Sequence, residues 1–85
     1  MRKFSVVKKG SKGTDAYILQ ALLRALQYVG KDGKPIKVDG ECGDNTVFAI
    51  NSFQTTQRAY GRECGNNGKN DGTFGATCWA ILLGV

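Results

Sequence analysis

The side chains that could carry out chemistry are few in this 85-residue chain, because it contains no histidine. Its three cysteines, Cys42, Cys64 and Cys78, form no CxxC pair and have no imidazole to generate a thiolate, which excludes the usual thiol enzyme. Widely spaced thiolates also match no common zinc-ligand spacing, so we expect no metal and no cofactor. Three reduced thiols are expected if folding takes place in a reducing compartment, and one disulfide with a free third thiol is the alternative.

Carboxylates are the other candidates for acid–base chemistry. Asp39 and Asp71 each precede a glycine, as in a tight turn, and Asp44 stands where a helix is predicted to begin. Each of these side chains therefore has a structural role that accounts for it, and so small a chain offers little room for the deep cleft of a glycosidase. We predict that the protein is not an enzyme.

Binding of a sugar or a peptide, unlike catalysis, can depend on exposed aromatic and polar side chains held by a rigid scaffold. At about 100° per residue, Tyr17, Arg24 and Tyr28 fall on one side of the first predicted helix, opposite its leucines. Phe48 likewise points away from the apolar face of the second helix, surrounded by Asn51, Ser52 and Thr55. We predict that Tyr17, Arg24, Tyr28 and Phe48 bind the ligand; the alternative is that Phe48 or Tyr28 packs under a long loop.

Three segments with helical periodicity must position these side chains. They cover about residues 15–29, 45–60 and 76–83, and the first has the widest apolar stripe: Ile18, Leu19, Leu22, Leu23, Leu26 and Val29. Thr14 or Asp15 is predicted to cap the first helix and Asp44 the second, whereas Gly30 and Gly61 are predicted to end them. The predicted fold class is all-α, a small three-helix bundle with long Gly/Asp-rich loops in one domain spanning residues 1–85.

An internal repeat connects the second and third helices with the loops before them. Residues 38–50 are VDGECGDNTVFAI and residues 70–82 are NDGTFGATCWAIL, so Asp39 and Gly40 match Asp71 and Gly72 at an offset of 32 positions. An Asp-Gly turn that leads into a helix requires a glycine with positive φ, and we therefore predict that all four residues are architectural. A glycine loop before a helix can also bind an anion, but neither loop is followed by the GKS or GKT of a nucleotide site.

The repeat belongs to a longer series of motifs: Gly10, Gly13, Leu19 and Gln20; Asp39, Gly40, Gly43, Thr46, Ala49, Ile50, Phe53 and Gln54; and Asp71, Gly72, Gly75, Trp79 and Leu82. With these motifs in this order, the chain resembles the type 1 peptidoglycan-binding domain, a three-helix module found beside amidases, muramidases and other wall hydrolases, including those of phage endolysins. It departs from the pattern at Ala16, Cys42 and Cys78, where a larger aliphatic residue, Phe and Thr are usual. Gln20 and Gln54 are expected to hydrogen-bond loop backbone rather than a ligand.

The resemblance implies non-catalytic binding of bacterial cell-wall peptidoglycan, with an enzymatic domain on a parent or partner chain and a place of action in the cell wall or outside the cell. Residues 1–10 lack the apolar core of a secretory signal, and no apolar run reaches the roughly 18 residues of a membrane span. We therefore expect no membrane association, and export by a signal on a longer chain, by lysis of a phage host or by a dedicated machine. Either the glycan or the stem peptide could be the ligand.

The distribution of charge leaves two further interpretations open. The net charge is +5, and five basic residues precede the first predicted helix: Arg2, Lys3, Lys8, Lys9 and Lys12. Such an arm would attract nucleic acid, anionic lipid or anionic wall polymers alike, although a solvated terminus is the simpler interpretation. Acidic residues interleaved after Gly30 argue against nucleic acid, and no nucleic-acid partner is predicted. A protein interaction module of a phage or secretion particle, using the same aromatic side chains, is the remaining alternative.

Overall fold

Three helices form where the apolar periodicity predicts them, in a computed structural model that describes residues 4–84. They are α1 (Thr14–Ala25), α2 (Asp44–Ala59) and α3 (Ala76–Leu83). Within residues 4–84 there is no strand, only isolated bridged pairs, so the predicted all-α class with three helices is confirmed. None of the helices in this range combines the length and apolar character that crossing a bilayer requires.

Each helix begins after a glycine and not after a side chain that caps it. The residues at the three N-cap positions are glycines, which have no side chain to form a capping hydrogen bond: Gly13, Gly43 and Gly75. The predictions that Thr14 or Asp15 caps α1 and that Asp44 caps α2 are therefore wrong. Gly13 has a φ of 117°, a conformation that a residue with a Cβ adopts only under strain, which explains why a glycine precedes α1.

The two aspartates that were predicted as caps make other contacts. Asp15 is buried, and its carboxylate accepts a hydrogen bond of 2.7 Å from the backbone N–H of Ser5. Asp44 is exposed, and its carboxylate lies 3.1 Å from the ammonium group of Lys9, whose hydrogen bond and charge lower the pKa of Asp44. Both carboxylates lie in the first turn of their helix, where the helix dipole favours negative charge without a capping bond.

α1 ends in a Schellman motif around Gln27. The backbone of Gln27 is left-handed, with a φ of 68°. Its N–H donates to the carbonyl of Arg24, and the N–H of Tyr28 donates to the carbonyl of Leu23, both at 3.0 Å. These are the two hydrogen bonds that define the motif, and they end the helix at this point.

The predicted extension of α1 to about residue 29 is therefore wrong. Leu26 and Val29 continue the apolar periodicity, yet they are 54% and 37% exposed. Gly30, the predicted end of the helix, lies in the next turn, where its N–H donates to the carbonyl of Lys34 at 2.9 Å. A backbone motif closed by two hydrogen bonds has overridden the side-chain pattern.

Replacing Gln27 with glycine is expected to stabilise the fold by about 0.5–1 kcal/mol, because a residue with a Cβ is strained in the left-handed region. α2 provides a matched control, since it ends in the same motif around Gly61, which has a φ of 80° and was predicted to end the helix. Gly61→Gln should cost a similar amount. Urea unfolding of the two variants measures both changes, and a Gln27→Gly variant less stable than the parent would contradict the prediction.

Helices and loops contribute jointly to the core. The helices bury Ala16, Leu19, Leu23, Ala49, Ile50, Phe53, Cys78 and Trp79, and the loops bury Val7, Ile36, Cys42, Cys64 and Phe74. A series of ring contacts crosses the core, with centroids 4.4–5.9 Å apart, in the order Phe4, Trp79, Phe74, Phe53 and Tyr28. The long loops are therefore anchored by their own apolar side chains.

The N-terminal segment, residues 4–13, is bound across both Asp-Gly loops. Val7 and Phe74 exchange two backbone hydrogen bonds, of 3.1 and 2.7 Å, and Cys42 forms two at 2.8 Å with residues 10 and 11. The indole N–H of Trp79 donates to the carbonyl of Ser5 at 3.0 Å. The N-terminal segment is therefore not a free arm, because its backbone is docked on the fold, although its lysines are solvated as the simpler interpretation expects.

The lysines of the N-terminal segment are exposed. The ammonium group of Lys9 lies 3.1 Å from the carboxylate of Asp44, and that of Lys12 lies 3.9 Å from the carboxylate of Glu41. Arg2 and Lys3, the first two basic residues of the predicted arm, lie outside the described residues. Because Lys9 and Lys12 face carboxylates, the positive charge of residues 4–13 is partly compensated.

Candidate functional site

The first Asp-Gly loop is held in place by the buried side chain of Gln20 on α1. Its carbonyl oxygen accepts the backbone N–H groups of Asp39 and Gly40, at 3.0 and 2.8 Å. Its amide nitrogen donates to the Asp39 carboxylate, the Glu41 carbonyl and the Thr46 hydroxyl, at 3.1, 2.8 and 3.1 Å. Gly40 has a φ of 78°, as predicted for the turn.

The second Asp-Gly loop is held in the same way by Gln54 on α2. The amide nitrogen of Gln54 donates to the Asp71 carboxylate at 2.8 Å and to the Thr73 carbonyl at 3.0 Å. Its carbonyl oxygen accepts the Asp71 N–H at 3.1 Å, and Cys78 occupies the position that Thr46 has in the first loop, 3.8 Å from the Gln54 amide. The prediction that both glutamines hydrogen-bond loop backbone is confirmed.

The turn carboxylates are occupied by these structural hydrogen bonds. The carboxylate of Asp39 accepts the backbone N–H of Glu41 at 3.0 Å as well as the Gln20 amide, and these bonds lower the pKa of Asp39. In the second loop, Asp71 accepts the N–H of Thr73 at 3.0 Å. A carboxylate whose pKa is held down by such bonds is a poor proton donor near neutral pH.

All three cysteines are buried thiols. Burial raises the pKa of Cys42 to about 11. Burial, together with the hydrogen bond to Cys78, raises the pKa of Cys64 to about 12. The thiol of Cys78 donates to the carbonyl of Cys64 at 3.2 Å. Residues 4–84 contain no group of three or more acidic, cysteine or histidine side chains that could hold a metal ion.

Two of the predicted ligand-binding residues, Tyr17 and Arg24, remain exposed on α1. Tyr17 is 53% exposed and lines a shallow depression with Asp39 and Gly40. The guanidinium group of Arg24 donates to the carbonyl of Ile36 at 3.2 Å. Arg24 therefore supports the loop that follows α1, in addition to facing the solvent.

Tyr28 does not share the exposed stripe predicted for these three residues. It lies beyond the end of α1, so the helical angle that placed it beside Tyr17 and Arg24 does not apply. Its ring is partly buried and meets Phe53 edge-on, with centroids 5.9 Å apart. The prediction of an exposed Tyr28 is corrected to a ring at the edge of the core, in contact with Phe53 of α2.

Phe48 is exposed as predicted, with 42% of its surface accessible. It forms one wall of a cleft of about 460 Å³ on the outer face of α2, whose lining residues are Phe48, Asn51, Ser52, Thr55, Thr56 and Asn70. Four of these residues follow the i, i+3, i+4, i+7 spacing of one helix face, which explains why they share a surface. We call this depression the Phe48 cleft.

Asn70 is the residue of the Phe48 cleft that helical periodicity does not predict. Its side-chain amide donates to the Thr55 hydroxyl at 2.8 Å, and its carbonyl oxygen accepts a hydrogen bond of 3.1 Å from the guanidinium of Arg58. Arg58 also contacts Glu63, 2.8 Å away, and that hydrogen bond lowers the pKa of Glu63. In the sequence, Asn70 comes directly before the second Asp-Gly turn. Because Gln54 of α2 binds that turn, the position of Asn70 relative to α2 is fixed.

Comparison of the chain with protein-family models, with curated proteins and with solved structures finds no match.

Proposed function

We propose that the protein binds bacterial cell-wall peptidoglycan without degrading it, and so holds an attached or associated wall hydrolase at its substrate. The observation that carries this proposal is the set of contacts among the motif residues. Gln20 and Gln54 each lock an Asp-Gly turn before the next helix. These residues also carry the resemblance to the type 1 peptidoglycan-binding domain, and their contacts explain why they occur together at these spacings.

The two locked loops support the interpretation of the chain as two repeated units, each with a helix, an Asp-Gly loop and the start of the next helix. In both units the glycine after the aspartate has positive φ, 78° at Gly40 and 66° at Gly72. In both units the residue two positions later is buried and pairs with the N-terminal segment, as Cys42 and Phe74 do. The repeat therefore builds a scaffold and leaves the outer helix faces for binding.

Several properties favour binding over catalysis. The chain has no histidine, and burial raises the pKa of the Cys42 thiol to about 11, which disfavours a thiolate nucleophile. The carboxylate of Asp39 is engaged in hydrogen bonds that hold the turn. Neutral amides and hydroxyls lie instead on a helix face beside the exposed ring of Phe48, an arrangement typical of ligand-binding sites.

Co-sedimentation with purified sacculi tests the proposal. The folded protein is expected in the pellet at physiological salt, and a substantial share should remain there at about 0.5 M salt, where ionic adsorption through the lysines is screened. The supernatant should contain no newly released sugar or peptide. A protein that stays in the supernatant at physiological salt, or that releases soluble fragments, would contradict the proposed function.

A further inference from the structure

The Phe48 cleft is distinguished by the absence of any charged side chain from its lining within residues 4–84. The depression beside the N-terminal segment includes Lys12 and Asp15, and the one beside Tyr17 includes Asp39. Arg58 approaches the cleft through its hydrogen bond to the carbonyl oxygen of Asn70, and it is also bonded to Glu63. A ligand in this cleft therefore meets an aromatic ring, amides and hydroxyls.

The polar groups of the cleft are partly fixed and partly free. The Thr55 hydroxyl accepts the amide of Asn70 at 2.8 Å, which leaves its own proton for a ligand acceptor. The Ser52 hydroxyl donates to the carbonyl of Phe48 at 3.1 Å and keeps its lone pairs as acceptors. The carbonyl oxygen of Asn51 is buried without a hydrogen-bond partner among residues 4–84. This oxygen is inaccessible, so the polar groups available to a ligand are the hydroxyls of Thr55 and Ser52.

We infer that the Phe48 cleft binds the glycan strand of peptidoglycan, taking one neutral N-acetylated sugar ring, and that the stem peptide is not the ligand recognised there. This inference rests on the proposed function and names the part of the wall polymer that is bound. The apolar C–H face of a pyranose ring packs on the ring of Phe48. The hydroxyl and N-acetyl groups of the sugar exchange hydrogen bonds with the hydroxyls of Thr55 and Ser52.

Charge decides between the two parts of the polymer. A stem peptide carries carboxylates, and a carboxylate loses hydration when it enters a cleft, a cost that an opposing cation must offset. The described lining of the Phe48 cleft contains no such cation, and the guanidinium of Arg58 beside it is already engaged with Glu63 at 2.8 Å. A neutral sugar incurs no such cost, and its hydroxyls match the donors and acceptors that are present.

Titration of the protein with a neutral β-1,4-linked N-acetylglucosamine tetramer, followed by NMR, tests the inference. Saturable shifts are expected for the amides around Phe48. Phe48→Ala should weaken tetramer binding roughly tenfold, the upper range for loss of one aromatic stacking contact. Tyr60→Ala is the matched control, because Tyr60 is an aromatic residue at the end of α2 that is 75% exposed and lies outside the cleft. That variant should bind like the parent.

Parallel measurements separate failure of this inference from failure of the proposed function. A soluble stem peptide should cause no saturable shifts at the cleft, and such shifts would overturn the glycan assignment. If sacculi retain the protein but the tetramer does not bind, or if Phe48→Ala and Tyr60→Ala bind the tetramer equally, the assignment is likewise overturned while wall binding stands. If sacculi do not retain the parent protein at all, the proposed function itself is overturned.

Discussion

Gln20→Ala is expected to destabilise the fold by about 3 kcal/mol, because several partly buried polar groups lose their partner together. The side chain of Gln20 is 1% exposed and accepts the N–H groups of Asp39 and Gly40, at 3.0 and 2.8 Å. Its amide also donates to the carbonyl of Glu41 at 2.8 Å. Leaving a buried donor or acceptor unpaired costs about 1–3 kcal/mol, and water entering beside the half-exposed loop recovers part of that loss.

Gln57→Ala is the matched control for Gln20→Ala. Gln57 also lies in a helix and is partly buried, but its side-chain oxygen has no hydrogen-bond partner within residues 4–84. Its removal should therefore cost less than about 1 kcal/mol. Urea unfolding of both variants measures the difference. If the two substitutions lower the free energy of unfolding equally, the volume of the Gln20 side chain and not its hydrogen bonds supports the loop.

Phe74→Ala is expected to cost about 3–5 kcal/mol, because a large ring is removed from a closely packed interior. The ring of Phe74 is fully buried, with centroids 5.2 Å from Phe53 and 5.0 Å from Trp79. Its backbone also forms both hydrogen bonds with Val7. Truncation of the ring therefore opens a cavity at the point where α2, α3 and the N-terminal segment meet.

Two further variants serve as controls, one for the apolar volume that is removed and one for the burial of the site. Phe74→Leu keeps most of the apolar volume and should cost less than half as much. Phe48→Ala removes the same side chain from an exposed site and should change stability by about 0.5 kcal/mol. Thermal unfolding followed by Trp79 fluorescence measures all three. A Phe74→Ala variant as stable as Phe48→Ala would show that the loop does not depend on its buried ring.

The helices were predictable where side-chain periodicity and backbone preference agree. α2 and α3 lie within one residue of their predicted bounds, because a glycine ends or precedes each of them. α1 was predicted too long because Leu26 and Val29 extend its apolar stripe, whereas the chain turns at Gln27. Nothing in the side chain of a glutamine favours a left-handed backbone, so the pattern had no means to indicate that end.

The candidate site was predictable in part for a similar reason. Exposure of Tyr17 and Phe48 followed from helical angles, and both lie within true helices. The same argument failed for Tyr28, which lies outside α1. The buried role of Phe74 was missed, because a single apolar residue in a glycine-rich loop has no periodicity to reveal it. Only its match to Cys42 in the repeat was available as a signal.

The hydrogen bond from the indole of Trp79 to the carbonyl of Ser5 joins residues 74 positions apart. The locked turns, in contrast, close over 17–21 positions, between each glutamine and its own loop. During synthesis the two turns can therefore form early, whereas the hydrogen bond between Trp79 and Ser5 can form only after α3 has left the ribosome. Such distant closure slows folding relative to helical proteins built from local contacts. The quenching or shift of Trp79 emission should accordingly be the last event of folding, coincident with the burial of Val7 and Phe74.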